Sequence, residues 1–250
     1  MTPVVTATVI RIRSALFNLL FFGFTALTVV FGLPLLPFHP DVMHRYLRGW
    51  ARGSLWLLRV VCGIRLRVTG RENLPVHGAA LIAAQHQSAF DTVVWHALLP
   101  RPAYVMKEEL LRIPGWGAMA RHVHSIPVDR EGGASSLKRL VRATRSAAEA
   151  GYQVVIFPEG TRSAPGEVQP WQPGFAAMAA ATSLPVVPVA TDSGRFWGKR
   201  AFTKRPGLLT VAVLPPIPPG LPRAVLMARA EAAVAAASAA LSGAVDKSVE

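Results

Sequence analysis

From about Arg65 onward, short runs of Val, Ile and Leu alternate with longer stretches whose apolar positions recur at helical spacing. The short runs predict strands at Leu66–Thr69, Ala79–Ala84, Ala103–Met106, Ser125–Val128, Gln153–Phe157, Val186–Ala190 and Leu208–Leu214. The stretches between them predict helices near Ser88–Leu98, Glu109–His122, Ala134–Ala150 and Pro173–Thr182. This alternation implies an α/β domain with a mixed, largely parallel sheet flanked by helices. Ligand sites in such sheets gather in the turns at the carboxyl ends of the strands. The Pro-rich segment Pro215–Pro222 reads as a stiff connector, and the Ala-rich stretch Arg223–Leu241 as a terminal helix of good intrinsic propensity.

The N-terminal fifth follows a different pattern. Ala15 to Phe38 is uncharged and mostly apolar, with Arg11 and Arg13 before it and Arg45, Arg48, Arg52 and Arg59 after it. About 20 such residues suffice to cross the hydrocarbon layer of a bilayer. The stretch is too long for the apolar core of a signal peptide, and no small-residue cleavage pattern follows it. We read it as a retained membrane helix, with a buried core helix as the alternative. If it spans, the downstream arginines place the remaining chain in the cytoplasm. Pro34 and Pro37 instead allow the helix to end inside the bilayer. His44–Val61 mixes Leu47, Trp50 and Leu55 with arginines, as an interfacial helix does. A hairpin dipping into one leaflet is then the rival to a true span. The division expected is a membrane-associated segment over 1–62 (membrane helix 15–38, interfacial helix 44–61) and an α/β domain over 63–250.

Composition narrows the classes. The 250 residues are 51% hydrophobic and only 16% charged, which excludes intrinsic disorder. A single cysteine, Cys62, excludes an intramolecular disulfide framework, and its apolar surroundings argue against a nucleophile. The net charge of +13 suits an anionic membrane surface. Nucleic acid is the competing reading, but the arginines are scattered and no nucleic-acid-binding signature is present. The histidines show no metal-type spacing, so no metal is expected.

Polar chemistry concentrates where strands end. In QHQSAFDT, Gln85–Thr92, His86 and Asp91 sit between an apolar strand and an apolar helix. With Ser88 as N-cap, Asp91 falls at N3, where its carboxylate either meets helix N–H groups or turns back to His86. A carboxylate on one imidazole nitrogen sets the tautomer and leaves the other nitrogen to accept a proton. Ser88 and Asp91 also fit an ordinary capping box. In FPEGTRS, Phe157–Ser163, Gly160 permits close approach of backbone to ligand, and the planar fork of Arg162 suits phosphate. A structural Glu159–Arg162 ion pair is the bland alternative. Lys107 and Arg130 end two further strands. Alone each reads as a surface charge; converging with Arg162 they would form a phosphate site.

These segments together resemble the glycerolipid acyltransferase family, in particular its bacterial 1-acyl-sn-glycerol-3-phosphate acyltransferase branch. The resemblance rests on His86 and Asp91 in HQSAFDT, on PVDR with Lys107 upstream, on FPEGTRS, and on LPVVPVA at Leu184–Ala190. It covers about residues 65 to 220. Gln85 departs from the Asn found in many members, and Pro173 from a lysine of some relatives.

The resemblance implies transfer of a fatty acyl group from a thioester to the sn-2 hydroxyl of a lysophosphatidate, giving phosphatidic acid. His86 would be the general base and Asp91 its partner, with no covalent acyl-enzyme. Lys107, Arg130 and Arg162 would hold the phosphate. Glu159, Gly160 and Thr161 would shape the loop, with backbone N–H groups near Gly160 as oxyanion donors. No cofactor is implied; acyl-CoA or acyl carrier protein would be co-substrate. The setting would be the cytoplasmic membrane, with the active site facing the cytoplasm. Another lysolipid acceptor, such as lyso-ornithine lipid, is the alternative within the class; a non-catalytic binder of anionic lipid is the alternative outside it.

Overall fold

The structure, a computed structural model, describes residues 3–129, 133–167 and 169–246. Every predicted strand forms, displaced by a residue or two: β1 Ile64–Thr69, β2 Ala80–Ala84, β3 Pro102–Lys107, β4 Ile126–Val128, β5 Gln153–Ile156, β6 Val186–Thr191 and β7 Gly207–Val213. They form one seven-stranded sheet in the order β1-β7-β6-β2-β5-β3-β4. β2 pairs in parallel with β5 and β6, and β3 in parallel with β5 and β4. β7 runs antiparallel to β6 and parallel to β1. The sheet is therefore mixed and largely parallel. Because β2 through β6 share one direction, their carboxyl ends open on a single edge.

The central strands are apolar on both sides because both faces are covered. Along β2, Ala80, Ile82 and Ala84 enter one core while Leu81 and Ala83 enter the other. That is the period-2 alternation of a strand. Helices α1 Pro3–Gly32, α2 Pro40–Leu57 and α3 Phe90–Leu98 belong to the first layer. Helices α5 Gly133–Glu149, α6 Pro173–Thr182 and α8 Arg223–Asp246 cover the second. Between α3 and α5 lies the short α4 Trp116–His122, and α7 Ser193–Phe196 follows β6.

Three expectations need correction. The helix predicted over Glu109–His122 is broken. A 3₁₀ turn, Glu108–Arg112, is followed by Pro114 and by Gly115 at φ 71°, and only then by α4. Proline removes a helical donor and the left-handed glycine reverses the chain. The N-terminal helix starts well before Ala15, and it ends at Gly32 rather than running to Phe38. A 3₁₀ turn at Leu33–Leu35 contains Pro34, whose ring cannot continue an α-helical ladder. The helix expected over 44–61 starts at Pro40 with His39 as N-cap, and its last turn, Leu58–Cys62, is a π-helix closed by Gly63 at φ 71°.

α1 is held against the domain over most of its length. Ser14 Oγ accepts from the Lys204 N–H at 2.9 Å. Phe17 stacks with Phe21 at 5.4 Å and meets the Trp197 edge at 5.4 Å. Farther along, Tyr46 donates its hydroxyl to Thr28 O at 2.8 Å. The opposite face is apolar yet open, with Leu19 73% and Phe22 64% exposed. By length and composition, Thr6–Leu35 is apolar enough to cross a membrane, and so is Arg223–Gly243. The latter helix nevertheless buries Leu226, Ala230 and Val234 against the second core.

Phe17 is wholly buried. Phe17→Ala is expected to destabilise the fold by about 3–5 kcal/mol, whereas Leu19→Ala, on the open face, changes stability little. Thermal denaturation of the detergent-solubilised variants checks both.

Candidate active site

β2 ends at Ala84 and hands the chain to a loop that carries His86. The loop then enters α3, whose first turn contains Asp91. One oxygen of that carboxylate, Oδ2, accepts from the Gln87 and Ser88 N–H groups at 2.7 Å each. The same oxygen lies 3.2 Å from His86 Nδ1. Ser88 Oγ accepts from the Phe90 N–H at 3.1 Å, but α3 starts one residue later than expected, with Ala89 at the N-cap and no side-chain cap, so Ser88 is not the N-cap. A carboxylate oxygen only accepts, so Nδ1 carries the hydrogen and Nε2 keeps a lone pair. The ring stacks on Phe157, centroids 4.2 Å apart and planes 20° apart, which limits its rotation.

The neighbouring strand β5 supplies the second loop, and the two loops are bonded together. Ser163 donates its N–H to His86 O at 2.8 Å, and the His86 N–H donates to Glu159 Oε2 at 3.4 Å. The Ser163 hydroxyl donates to the same Oε2, 3.2 Å away. The alternative, a Glu159–Arg162 ion pair, is absent among the described residues; Glu159 turns inward instead. Burial pushes its carboxyl up to about 7, against the pull of the His86 N–H and the Ser163 hydroxyl.

Gly160 adopts φ 72°, in the left-handed region, and a Cβ there would meet Gln172 Cγ at 3.2 Å. Its N–H donates to Phe157 O at 3.0 Å, closing a turn. Gly160 itself is therefore spent as an oxyanion donor. The Thr161 and Arg162 N–H groups, one and two residues on, have no acceptor among the described residues.

A cleft of about 880 Å³ opens along the strand ends. His86, Lys107, Glu159, Gly160, Thr161 and Arg162 all line it. The geometry thus brings together every expected site residue that the structure describes, apart from Asp91 behind the imidazole. Arg130 lies outside the described residues; its neighbour Asp129 lines the cleft. The inner wall is apolar, formed by Met106, Leu110, Trp116, Met119 and Val123 among others. Two cations on the rim, Lys199 and Arg200, were not singled out from sequence. Lys199 Nζ donates to the Arg162 carbonyl at 2.9 Å, and Arg200 holds φ 55°, unusual for a non-glycine residue. The run GKR after β6 was the available signal, but only the fold shows that it returns to the cleft.

Gln85, the departure noted in the histidine block, is buried and doubly engaged. Its Oε1 accepts from the Thr191 N–H at 3.2 Å, and its Nε2 donates to Ser238 Oγ at 3.3 Å. The longer amide thus reaches both the end of β6 and α8.

An imidazole held against a carboxylate thus faces an apolar cleft lined by cations, at the strand ends of an α/β sheet. Residues 65–192 match the family model described as Acyltransferase, and the chain belongs to that family. It is 35% identical over 216 residues to a 1-acyl-sn-glycerol-3-phosphate acyltransferase of Pseudomonas aeruginosa, covering 84% of this chain and 82% of that one. A human 1-acyl-sn-glycerol-3-phosphate acyltransferase alpha is 28% identical over 163 residues, covering 64% of this chain and 58% of that one. In fold, the chain is similar to the crystal structure of the 1-acyl-sn-glycerophosphate acyltransferase PlsC from Thermotoga maritima. The TM-score is 0.77 at 23% identity, over 93% of this chain and 98% of that one.

The raised carboxyl of Glu159 makes a pH-dependent contribution to stability. Its folded value, about 7, exceeds the ordinary 4.5. The contribution is full below pH 4.5 and fades as pH rises through about 7. Glu159→Gln retains an oxygen for the His86 N–H and cannot ionise. The variant is expected to gain melting temperature over wild type at pH 8 and to match it near pH 4, measured by scanning fluorimetry across that range.

Proposed function

We propose that this acyltransferase moves a fatty acyl group from an acyl thioester to the sn-2 hydroxyl of 1-acyl-sn-glycerol-3-phosphate. The observation that carries this reading is the His86–Asp91 pair, 3.2 Å apart, on a cleft shared with Lys107 and Arg162. The names of the relatives support the choice of acceptor. The acceptor hydroxyl gives its proton to His86 Nε2 as its oxygen attacks the thioester carbonyl. The tetrahedral oxyanion then collapses and expels the thiolate, which takes the proton back from the imidazolium. Asp91 holds the ring and stabilises its cationic form. The free N–H groups of Thr161 and Arg162 are the donors placed to meet the oxyanion. Lys107 and Arg162 take the acceptor's phosphate, with Arg162 as a planar fork; Arg130 is assigned to the same task from sequence.

No covalent acyl-enzyme is required, because a thioester is already activated. Two possible nucleophiles are otherwise engaged: the buried Ser88 hydroxyl oxygen accepts from the Phe90 N–H, and the Cys62 thiol is pushed up to about 11 by burial. The donor is acyl-CoA or acyl carrier protein, and the apolar inner wall receives a fatty chain. The open apolar face of α1 is suited to the hydrocarbon of a bilayer, with the helix lying along the domain rather than leaving it. That arrangement favours the one-leaflet reading over a full span. The enzyme is assigned to the cytoplasmic membrane, with its cleft facing the cytoplasm. Cations on the rim favour an anionic acceptor over a zwitterionic lysolipid such as lyso-ornithine lipid.

His86→Ala is expected to lower kcat by about 10²–10⁴-fold, and Asp91→Asn to lower it with little change in KM. Arg162→Ala is expected to act mainly on the KM for lysophosphatidate. An acyl-transfer assay with the purified protein, comparing lysophosphatidate with a zwitterionic lysolipid, decides the acceptor. Absence of turnover on lysophosphatidate would defeat the reading. Separately, Leu19→Ser with Phe22→Ser is expected to reduce flotation with anionic liposomes while leaving kcat in detergent micelles unchanged.

A further inference from the structure

His86 is flanked by two buried amides, Gln85 and Gln87, 6% and 1% exposed. Successive side chains of an extended segment point to opposite sides. Here His86 lines the cleft, and both glutamines turn toward the chain that follows β6. Gln85 Oε1 accepts from the Thr191 N–H at 3.2 Å, and Gln87 Oε1 from the Gly194 N–H at 3.1 Å. A buried amide is costly unless it is bonded, and an apolar side chain of similar length would fill the same space without that cost. Packing alone therefore does not account for an amide on each side of one histidine.

The segment that receives them is itself pinned to β7. Thr191 Oγ1 accepts from the Ser193 N–H at 3.1 Å and donates to Thr210 O at 3.2 Å. Asp192 Oδ1 accepts from the Thr210 N–H at 2.7 Å. At Gly194 the two chains come close: a Cβ there would meet Gln87 Cβ, Gln87 Oε1 and Pro165 Cγ at 3.0 Å each. Gly194 lies outside the left-handed region, so space rather than backbone conformation keeps this position small. Gln87 then links this support to the base. Its side chain is held by Gly194, and its N–H donates to Asp91 Oδ2, the oxygen that also meets His86 Nδ1. Displacing Gln87 moves the turn on which that pairing depends.

We propose that Gln85 and Gln87 are positioning residues that tie His86 to the segment Thr191–Gly194 and so hold the imidazole in the orientation that proton transfer needs. The inference rests on the reading of His86 as general base. It adds to that reading a part of the chain, outside the histidine and arginine blocks, that sets the base in place. A misplacement of about 1 Å can lower a rate about 10²-fold, so loss of a tether is read in kcat rather than in substrate affinity.

The test uses the full-length protein in mixed micelles with lysophosphatidate and an acyl-CoA. Gln87→Met removes the acceptor at nearly constant volume, and Gly194→Ala perturbs the same contact from the other chain. Each is expected to lower kcat about tenfold, with the KM for either substrate changed less than twofold. Combined, they are expected to cost no more than either alone, because they break one contact. Gln85→Met is expected to lower kcat in the same sense. In a His86→Ala background, Gln87→Met is expected to leave the residual rate unchanged, since a tether acts only through the group it holds. Unchanged kcat in both Gln87→Met and Gly194→Ala, additive losses in the double variant, or an equal loss in the His86→Ala background would each overturn the tether. If Gln87→Met does not fold, as read by its melting curve, Gly194→Ala with and without His86→Ala decides. Full turnover in His86→Ala alone would defeat the general-base reading and the tether with it. Turnover lost in His86→Ala but intact in the tether variants would overturn the tether and leave that reading standing.

Discussion

Asp91 Oδ2 accepts three donors: two loop N–H groups and the His86 imidazole. That convergence does two things at once. It folds the segment between β2 and α3 into one turn, satisfying backbone donors buried away from water. It also fixes which imidazole nitrogen carries hydrogen. The orientation of His86 and the start of α3 therefore depend on the same atom. The loop after β5 then braces this turn from the other side, through Ser163 and the inward-turned Glu159.

The bracing follows from sheet topology. β2 lies between β5 and β6, all parallel, so the histidine loop emerges beside the arginine loop on one edge. β3 ends on the same edge and brings Lys107, while the chain after β6 brings Lys199 and Arg200. Cations distant in sequence are collected around an apolar cleft, with Lys199 bonded to the Arg162 carbonyl. Their mutual repulsion is a cost that an anionic ligand relieves, which is the electrostatic basis of the phosphate role proposed for Lys107 and Arg162.

The layers on either side of the sheet present different outer surfaces. One is sheathed by α1, whose inner face packs through Phe17 and Phe21 and whose outer face remains greasy. The other is bounded by α5, amphipathic and strongly basic outside. The cleft opens at the strand ends between these two surfaces.

Much of this was legible in the chain. Strand positions were readable because a covered parallel sheet demands unbroken apolar runs, such as ALIAA and QVVI. The histidine and arginine blocks were readable because strand ends in an α/β fold are where polar loops must lie. Local stereochemistry also decided the break at Pro114–Gly115 and the early end of α1, although the bare hydrophobic pattern ran through both. What needed the tertiary structure was every pairing across distance. Glu159 bonds the His86 loop rather than Arg162, the Gly160 N–H is consumed in a turn, and Lys199 returns to the cleft. Hydrophobic periodicity encodes which face of an element is buried. It does not encode which polar group meets which, because those contacts depend on strand order, and strand order is a property of the assembled sheet.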